Sequence, residues 1–279
     1  MKKSLCEFLT FILAGMLLLP VSSIADEESQ EMPNTPESPA AAQAEALLQN
    51  GTPMSKEEIN ESIGRMGETE EVPENFKFSD AENLLWFSDH LKNITKPTRL
   101  YYEFIKSGSY EEGFTDAVYL DIVKLNDDGT KNAVLDFFTA ERKQHVTPDN
   151  VTNITGNPVL GIFMQGDVYE MNRLTEGHWR HFQKMIKIAL RNSATVEPVS
   201  FKFNGEDYKG EKISFDPYTN DPHKNDFRKF ADKHYELIFS DDIPGSLYQI
   251  RTVVHNSQEP EKEPLIKEVL TLKEVKAAG

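Results

Sequence analysis

The chain has 279 residues, a formal net charge of −16, 38% hydrophobic residues and a single cysteine. That is enough for one large domain, or for one domain with appendages. The excess of acids argues against nucleic acid as a partner, because such binding rests on phosphate neutralisation by Lys and Arg. One thiol leaves no room for a disulfide framework or a Cys-based zinc site.

Residues 1–25 read as a secretory signal peptide. Lys2 and Lys3 supply the positive end, Phe8 to Leu19 the apolar run, and Ser23-Ile24-Ala25 a small-residue cleavage site. The apolar run is too short for a comfortable membrane span, and no later stretch approaches one. Cys6 lies inside this segment and is not placed like the lipid-accepting cysteine of a bacterial lipoprotein. Cleavage after Ala25 leaves an exported chain without a thiol, which points to the periplasm.

Residues 1–25 carry net +1 and residues 26–75 hold thirteen acids against Lys56 and Arg65, net −11, which leaves net −6 for residues 76–279. Rich in Glu, Pro, Ala and Ser, this stretch is predicted to be an acidic and mostly flexible arm. Short helices are expected around Ala40 to Leu48 and from Ser55, where Glu58 completes a capping box. The arm serves either as a linker or as the contact for a protein partner.

Residues 76–279 are expected to form a single domain. Ser79 with Glu82 makes a capping box, and Leu84, Phe87, Leu91 and Ile94 give the helix after it an apolar stripe that Pro97 ends. Alternation then predicts strands at Arg99 to Ile105, Phe114 to Leu125 and Asn132 to Phe138, the last two joined through Asn126-Asp127-Asp128-Gly129. Arg142 to Thr147 suggests another.

The stretch 157–194 breaks this alternation and reads as a helical insertion. Pro158 suits a first helical turn, and Leu160, Phe163/Met164, Val168, Met171 and Leu174 recur at helical spacing. Thr175 is placed to cap a second helix, with Glu176 in its first turn. On that helix Trp179, Phe182, Ile186, Ala189 and Leu190 form an apolar arc. Met185 and Ile188 widen it past half the circumference, so most of the helix should be buried. Arg180, Lys184, Lys187 and Arg191 form a basic stripe, either a solvated face or a contact for anions. His178 and His181 sit three apart, but with no further ligand in view they do not make a metal site.

Beyond the insertion, Val199 to Phe203 and Lys212 to Phe215 flank Asn204-Gly205, a hairpin signal. Asp226 to Lys233 fits one or two helical turns. His234 to Phe239, Leu247 to Val254 and Leu265 to Lys273 are the last strands. The sum is α+β: a large curved, mostly antiparallel β-sheet of about eight or nine strands, with the helical insertion covering one face.

No Gly-x-Ser-x-Gly elbow, His-Glu-x-x-His, phosphate loop or dinucleotide fingerprint is present. The acid pairs Glu111-Glu112 and Asp241-Asp242 lie in expected turns as solvent-facing charge. No catalytic residue, metal or cofactor is singled out, and the balance is against an enzyme.

Three phrases carry a resemblance. They are Gly156-Asn157-Pro158-Val159-Leu160 leading to Asp167-Val168-Tyr169-Glu170-Met171; Asp216-Pro217-Tyr218 with Asp221-Pro222; and the strand–Pro244-Gly245–strand run from Tyr235 to Ile250. Over roughly residues 80 to 256 they resemble a group of uncharacterised exported proteobacterial proteins. The last phrase is also similar to the curved sheets of periplasmic lipoprotein carriers of the LolA-like kind. That second likeness implies a half-barrel sheet with a helical lid over an apolar cavity that shelters acyl chains; no residue role carries over with it.

The expectation is therefore a periplasmic, non-enzymatic protein that binds a hydrophobic or amphiphilic, lipid-like ligand or a lipid anchor. Candidate lining residues are Leu160, Phe163, Met164, Met171, Trp179, Phe182 and Met185, since Met and aromatic side chains suit adaptable apolar pockets. Arg180, Lys184, Lys187 and Arg191 are the candidates for an anionic head group. The alternative is an assembly subunit that binds a protein partner through the acidic arm or a sheet edge.

Overall fold

The computed structural model describes residues 77–146, 151–256, 259 and 262–277, all in the second of two units into which the chain divides, Lys77–Gly279. The signal peptide read in residues 1–25 and the acidic arm read in 26–75 lie outside the described residues.

The described chain opens with the expected capping box. The Ser79 hydroxyl accepts from the Glu82 amide at 3.1 Å, and the Glu82 carboxylate accepts from the Ser79 amide at 2.9 Å. Helix α1, Asp80–Glu82, passes directly into a π-helical turn, Asn83–Phe87, and stops there. The predicted stripe therefore breaks after Phe87. Leu91 and Ile94 are buried, but they reach the core from turns that follow, one of them held by the Asp89 carboxylate accepting from the Leu91 amide at 3.1 Å.

Strands β1 (Thr98–Ser107), β2 (Phe114–Leu125), β3 (Lys131–Phe137) and β4 (Gln144–Val146) form an antiparallel meander from the middle of the sheet to one edge. Helices α2 (Pro158–Thr175) and α3 (Trp179–Asn192) follow. Strands β5 (Thr195–Phe203) and β6 (Glu206–Phe215), a short helix α4 (Lys224–Phe227), and β7 (Lys233–Phe239), β8 (Leu247–Val254) and β9 (Ile266–Ala277) complete the chain. The sheet order is β4-β3-β2-β1-β9-β8-β7-β6-β5, so the last strand pairs with the first at the centre.

This order explains where the helices lie. The chain leaves the sheet at β4 and re-enters at β5, the opposite edge, so the insertion must cross a face to connect them. Every strand pair is antiparallel, and register shifts at Tyr101/Tyr102, Ile122/Lys124 and Ile238/Phe239 add local bend and twist. The sheet is an open, curved one, as expected for an α+β fold.

Alternation decides which face is covered. Leu100, Tyr102 and Phe104 of β1, Val118, Leu120 and Ile122 of β2, Leu237 and Phe239 of β7, and Leu270 and Leu272 of β9 point toward the helices and are buried. They join Val159, Leu160, Phe163, Val168 and Met171 of α2 and Phe182, Ile186 and Leu190 of α3 in one apolar cluster. At about 1.5–3 kcal/mol for each fully buried large side chain, this layer supplies most of the favourable free energy. The Asn204-Gly205 hairpin forms as expected, with φ of 51° and 85° at its two central residues.

Two local readings are corrected. Thr175 does not start the second helix but ends the first, its hydroxyl donating to the Met171 carbonyl at 2.6 Å, and Glu176 turns the chain with φ of 61°. His178 is the cap instead, its Nδ1 accepting from the Arg180 amide at 3.2 Å. Ile188, assigned by its angle to the buried arc, is 39% exposed, and Met185 is only partly buried. Helix α3 packs against α2 and the sheet along a narrower stripe than the wheel suggests.

Candidate functional site

The start of α2 is anchored by a dry hydrogen-bonded knot. Asn157 is buried; its side-chain carbonyl accepts from the Val159 amide at 3.1 Å, capping the helix. Its side-chain nitrogen donates to the Tyr102 hydroxyl and the Gly245 carbonyl, each at 3.0 Å. The Asn157 amide donates to His90 Nδ1 at 3.2 Å, which leaves the His90 proton on Nε2 to reach the Leu84 carbonyl at 2.7 Å. Burial lowers the His90 pKa, in keeping with that neutral tautomer.

Nearly three turns further along, α2 turns charge into the core. Asp167 accepts from the Lys233 ammonium, and from the Tyr235 hydroxyl at 2.5 Å; Tyr235 in turn lies 3.2 Å from the Tyr218 hydroxyl. Lys233 lies 3.7 Å from Glu268, which the Thr252 hydroxyl contacts at 3.0 Å. Lys106 lies 3.7 Å from Glu268 and 2.6 Å from both Glu170 and Glu111. Arg173 closes the string, with Nε and a terminal nitrogen on Glu170 at 2.9 and 2.7 Å and Glu111 at 2.9 Å. Side-chain exposure rises steadily along it, from 0% at Lys233 through 10% at Lys106 to 35% at Arg173. The string thus runs from the dry interior to solvent, joining α2 to β1, β7 and β9.

Its electrostatics follow from burial against pairing. Burial works to lower the Lys233 pKa, but Asp167 and Glu268 outweigh it and the net shift is upward. Lys106 is likewise opposed by burial, yet Glu268 and Glu170 push it up to about 12. For Glu170 burial would raise the carboxyl; Arg173 and Lys106 overcome this and hold it at about 2. At Glu268 burial wins over Lys233 and the pKa rises. Three cations (Lys106, Lys233, Arg173) face four carboxylates (Glu111, Asp167, Glu170, Glu268). Among these carboxylates, burial pushes Glu268 toward its neutral form.

All seven candidate lining residues belong to the apolar layer beside this string. Leu160, Phe163, Met164, Met171 and Phe182 are 0–5% exposed, while Trp179 and Met185 are partly buried at its margin. The four candidate anion contacts lie elsewhere: Arg180, Lys184, Lys187 and Arg191 are exposed on the far side of α3. Arg191 binds Glu82 at 2.9 Å, and Arg180 sits 4.7 Å above the Trp179 ring.

The string itself escaped the sequence reading. Lys106, Lys233 and Glu268 share inward parity with Phe104, Tyr235 and Leu270, so each is a charge on a core-facing position. Glu111 was read as solvent-facing, but it pairs with Lys106 and Arg173. His181 was set aside as a metal ligand; its Nε2 lies 2.6 Å from Asp221, a buried carboxylate that also accepts from the His223 amide at 2.8 Å. Among the described residues no cluster of three or more His, Cys, Asp or Glu is arranged to hold a metal ion.

A cleft of about 350 Å³ opens on the opposite face of the sheet, lined by Arg99, Tyr101, Tyr119, Glu274 and Lys276. Its groups already partner one another. Tyr101 stacks on Tyr119 at 5.3 Å, Arg99 pairs with Asp121 at 2.6 Å, and Lys276 lies 2.8 Å from Glu274.

The chain is similar to two solved structures. A LolA-superfamily protein from Nitrosomonas europaea shares 9% identity, over 71% of this chain and 94% of that one, with a TM-score of 0.21. Lipoprotein LppX of Mycobacterium tuberculosis shares 7%, over 68% and 91%, with a TM-score of 0.28. No protein-family model and no curated protein matches the chain. Likenesses this remote transfer no residue role. Among the described residues no helix is long and apolar enough to cross a membrane.

Proposed function

We propose that this is a non-enzymatic binding protein for a hydrophobic or amphiphilic, lipid-like ligand or lipid anchor, held between the α2–α3 hairpin and the sheet. The export signal read in residues 1–25 would place it in the periplasm. The observation that carries the reading is the charged string at the helix–sheet boundary. Buried ion pairs are poor sources of stability, because desolvation offsets most of their attraction. Lifting α2 would return Asp167, Lys233, Glu268 and Lys106 to water, recovering that solvation. The same motion would expose the apolar layer, which is unfavourable. A lipid-like occupant covers the apolar surface while leaving the charges solvated, and so tips the balance toward the open form. Met164, Met171 and Met185 on the helical side can repack around a chain of variable shape.

Of the alternative, partner binding through the acidic arm or a sheet edge, the edge has less support. The longer edge strand, β5, carries Pro198 and exposed Glu197 and Lys202, features that blunt strand addition.

The test is native mass spectrometry of the mature protein from its own host, followed by organic extraction. A reproducible added mass that extracts as lipid is expected. A clean apo chain, together with no uptake of a fluorescent fatty acid, would sink the reading.

A further inference from the structure

The outer face of α3 is chemically unlike the rest of the molecule. Trp179 to Asn192 contains four Lys or Arg and no acid, in a chain whose net charge is −16. Lys184 and Lys187 project outward within one turn of each other, and no acid among the described residues pairs with either. Ile188 stands between them and Arg191, 39% exposed, an apolar side chain among cations that contributes little to the core. At the start of the helix Trp179 packs 6.1 Å from Tyr169 of α2, itself 36% exposed, with the Arg180 guanidinium over the indole.

We infer that this face, Tyr169 and Trp179 with Arg180, Lys184, Lys187 and Ile188, docks on an anionic lipid surface. Arg180 to Lys187 spans about 10 Å of helix at 1.5 Å per residue. A single phosphate could meet one or two of these cations, whereas a bilayer of anionic head groups meets the row at once. Beneath the phosphates a bilayer also offers what Ile188 lacks in water, an apolar layer at shallow depth. Trp and Tyr favour that boundary, with an apolar ring and a polar edge. A helix with Lys and Arg on one arc and apolar groups beside them is the pattern of interfacial binding. The chain's overall negative charge does not prevent it, because charges beyond about 8–10 Å are screened at ordinary salt. The docking does not depend on whether the protein carries a ligand.

The test uses the full-length chain and vesicles of phosphatidylcholine with or without about 30% phosphatidylglycerol. Sedimentation with the anionic vesicles alone, reversed by about 0.5 M salt, is expected. Lys184→Gln with Lys187→Gln should weaken it roughly 30-fold, the value for two cations lost near such a surface. Lys202→Gln with Lys209→Gln, on the β5–β6 hairpin, should leave it within about two-fold. With Trp86→Phe, so that Trp179 is the only indole, emission should shift to the blue on anionic vesicles. The proposal is overturned if the wild-type chain ignores anionic vesicles, if the α3 variant binds like wild type, or if the hairpin variant loses as much. Retention on polyglutamate resin, lost in the α3 variant and without vesicle binding, would overturn it in favour of an acidic protein surface.

Discussion

The two faces of the sheet handle charge in opposite ways. On the open face the ions are cross-strand neighbours in water: Arg99 with Asp121, Lys273 with Glu103 and Arg251 with Glu236. On the helix-covered face Lys233, Asp167 and Glu268 are almost wholly dry, and their partners come from distant elements. The first kind typically contributes 0.2–1 kcal/mol and is weakened by salt. In the second kind the ions cost several kcal/mol each to desolvate and recover it through one another, so each becomes indispensable to the rest. The open face tolerates change, and the covered face fixes where α2 must sit.

The widest separation between the faces is expected at Lys233. Lys233→Met leaves Asp167 and Glu268 without their buried cation and should cost about 3–5 kcal/mol in urea unfolding. Adding Asp167→Leu should recover much of that loss, since an apolar pair of similar volume is often neutral or stabilising. Tyr235 would keep Tyr218 as a hydrogen-bond partner. A single-variant loss below about 1 kcal/mol would mean that this face behaves like the open one.

A smaller effect, and one with a sign, is expected from pH. The Glu268 pKa is raised in the folded chain, so its stabilising contribution is complete below the usual Glu value and is lost as pH rises through the folded value. Wild type should therefore lose stability relative to Glu268→Gln as pH climbs from about 4.5, by at most about 1.4 kcal/mol per unit until Glu268 ionises. Glu170 behaves oppositely. Held at about 2, it contributes above the usual Glu value and loses that contribution as pH falls toward 2. Glu170→Gln should flatten the acid limb and, because the Glu170 carboxylate also helps raise Glu268, change the upper limb less than Glu268→Gln does. A pair of unfolding series across pH reads both, and an upper limb unchanged in Glu268→Gln would contradict the assignment.

How much of this was legible depends on whether the cause is local. The Ser79/Glu82 capping box, Pro158 in a first turn and the paired positive φ at Asn204-Gly205 are set by neighbours in sequence, and they appear where expected. The far end of the β5–β6 hairpin was not legible, because Glu206 to Glu211 show no apolar alternation and are placed as a strand by pairing with Pro198 to Phe203. The charged string was not legible. Lys233 marked an inward position but was read as the end of a helical turn, since its partner Asp167 is 66 residues away. Periodicity reports which face a residue takes; it cannot report which distant ion makes a dry charge tolerable.

The least effect is expected on the open face, and it sharpens the contrast most cleanly because the chemistry is the same. Arg99 reaches Asp121 with two nitrogens, at 2.6 and 2.7 Å, and lies 5.5 Å from the Tyr119 ring. That geometry is as good as the buried pair's, and the hydrogen bonds raise the Arg99 pKa. Yet its side chain is 52% exposed, so water competes for the guanidinium and salt screens it. Arg99→Ala should cost less than about 1 kcal/mol, and much of that should vanish in about 1 M salt. The Lys233→Met loss should hardly change with salt, because ions do not penetrate a dry site. Equal salt sensitivity at the two positions would show that burial by α2, and not geometry, is the wrong explanation for the difference.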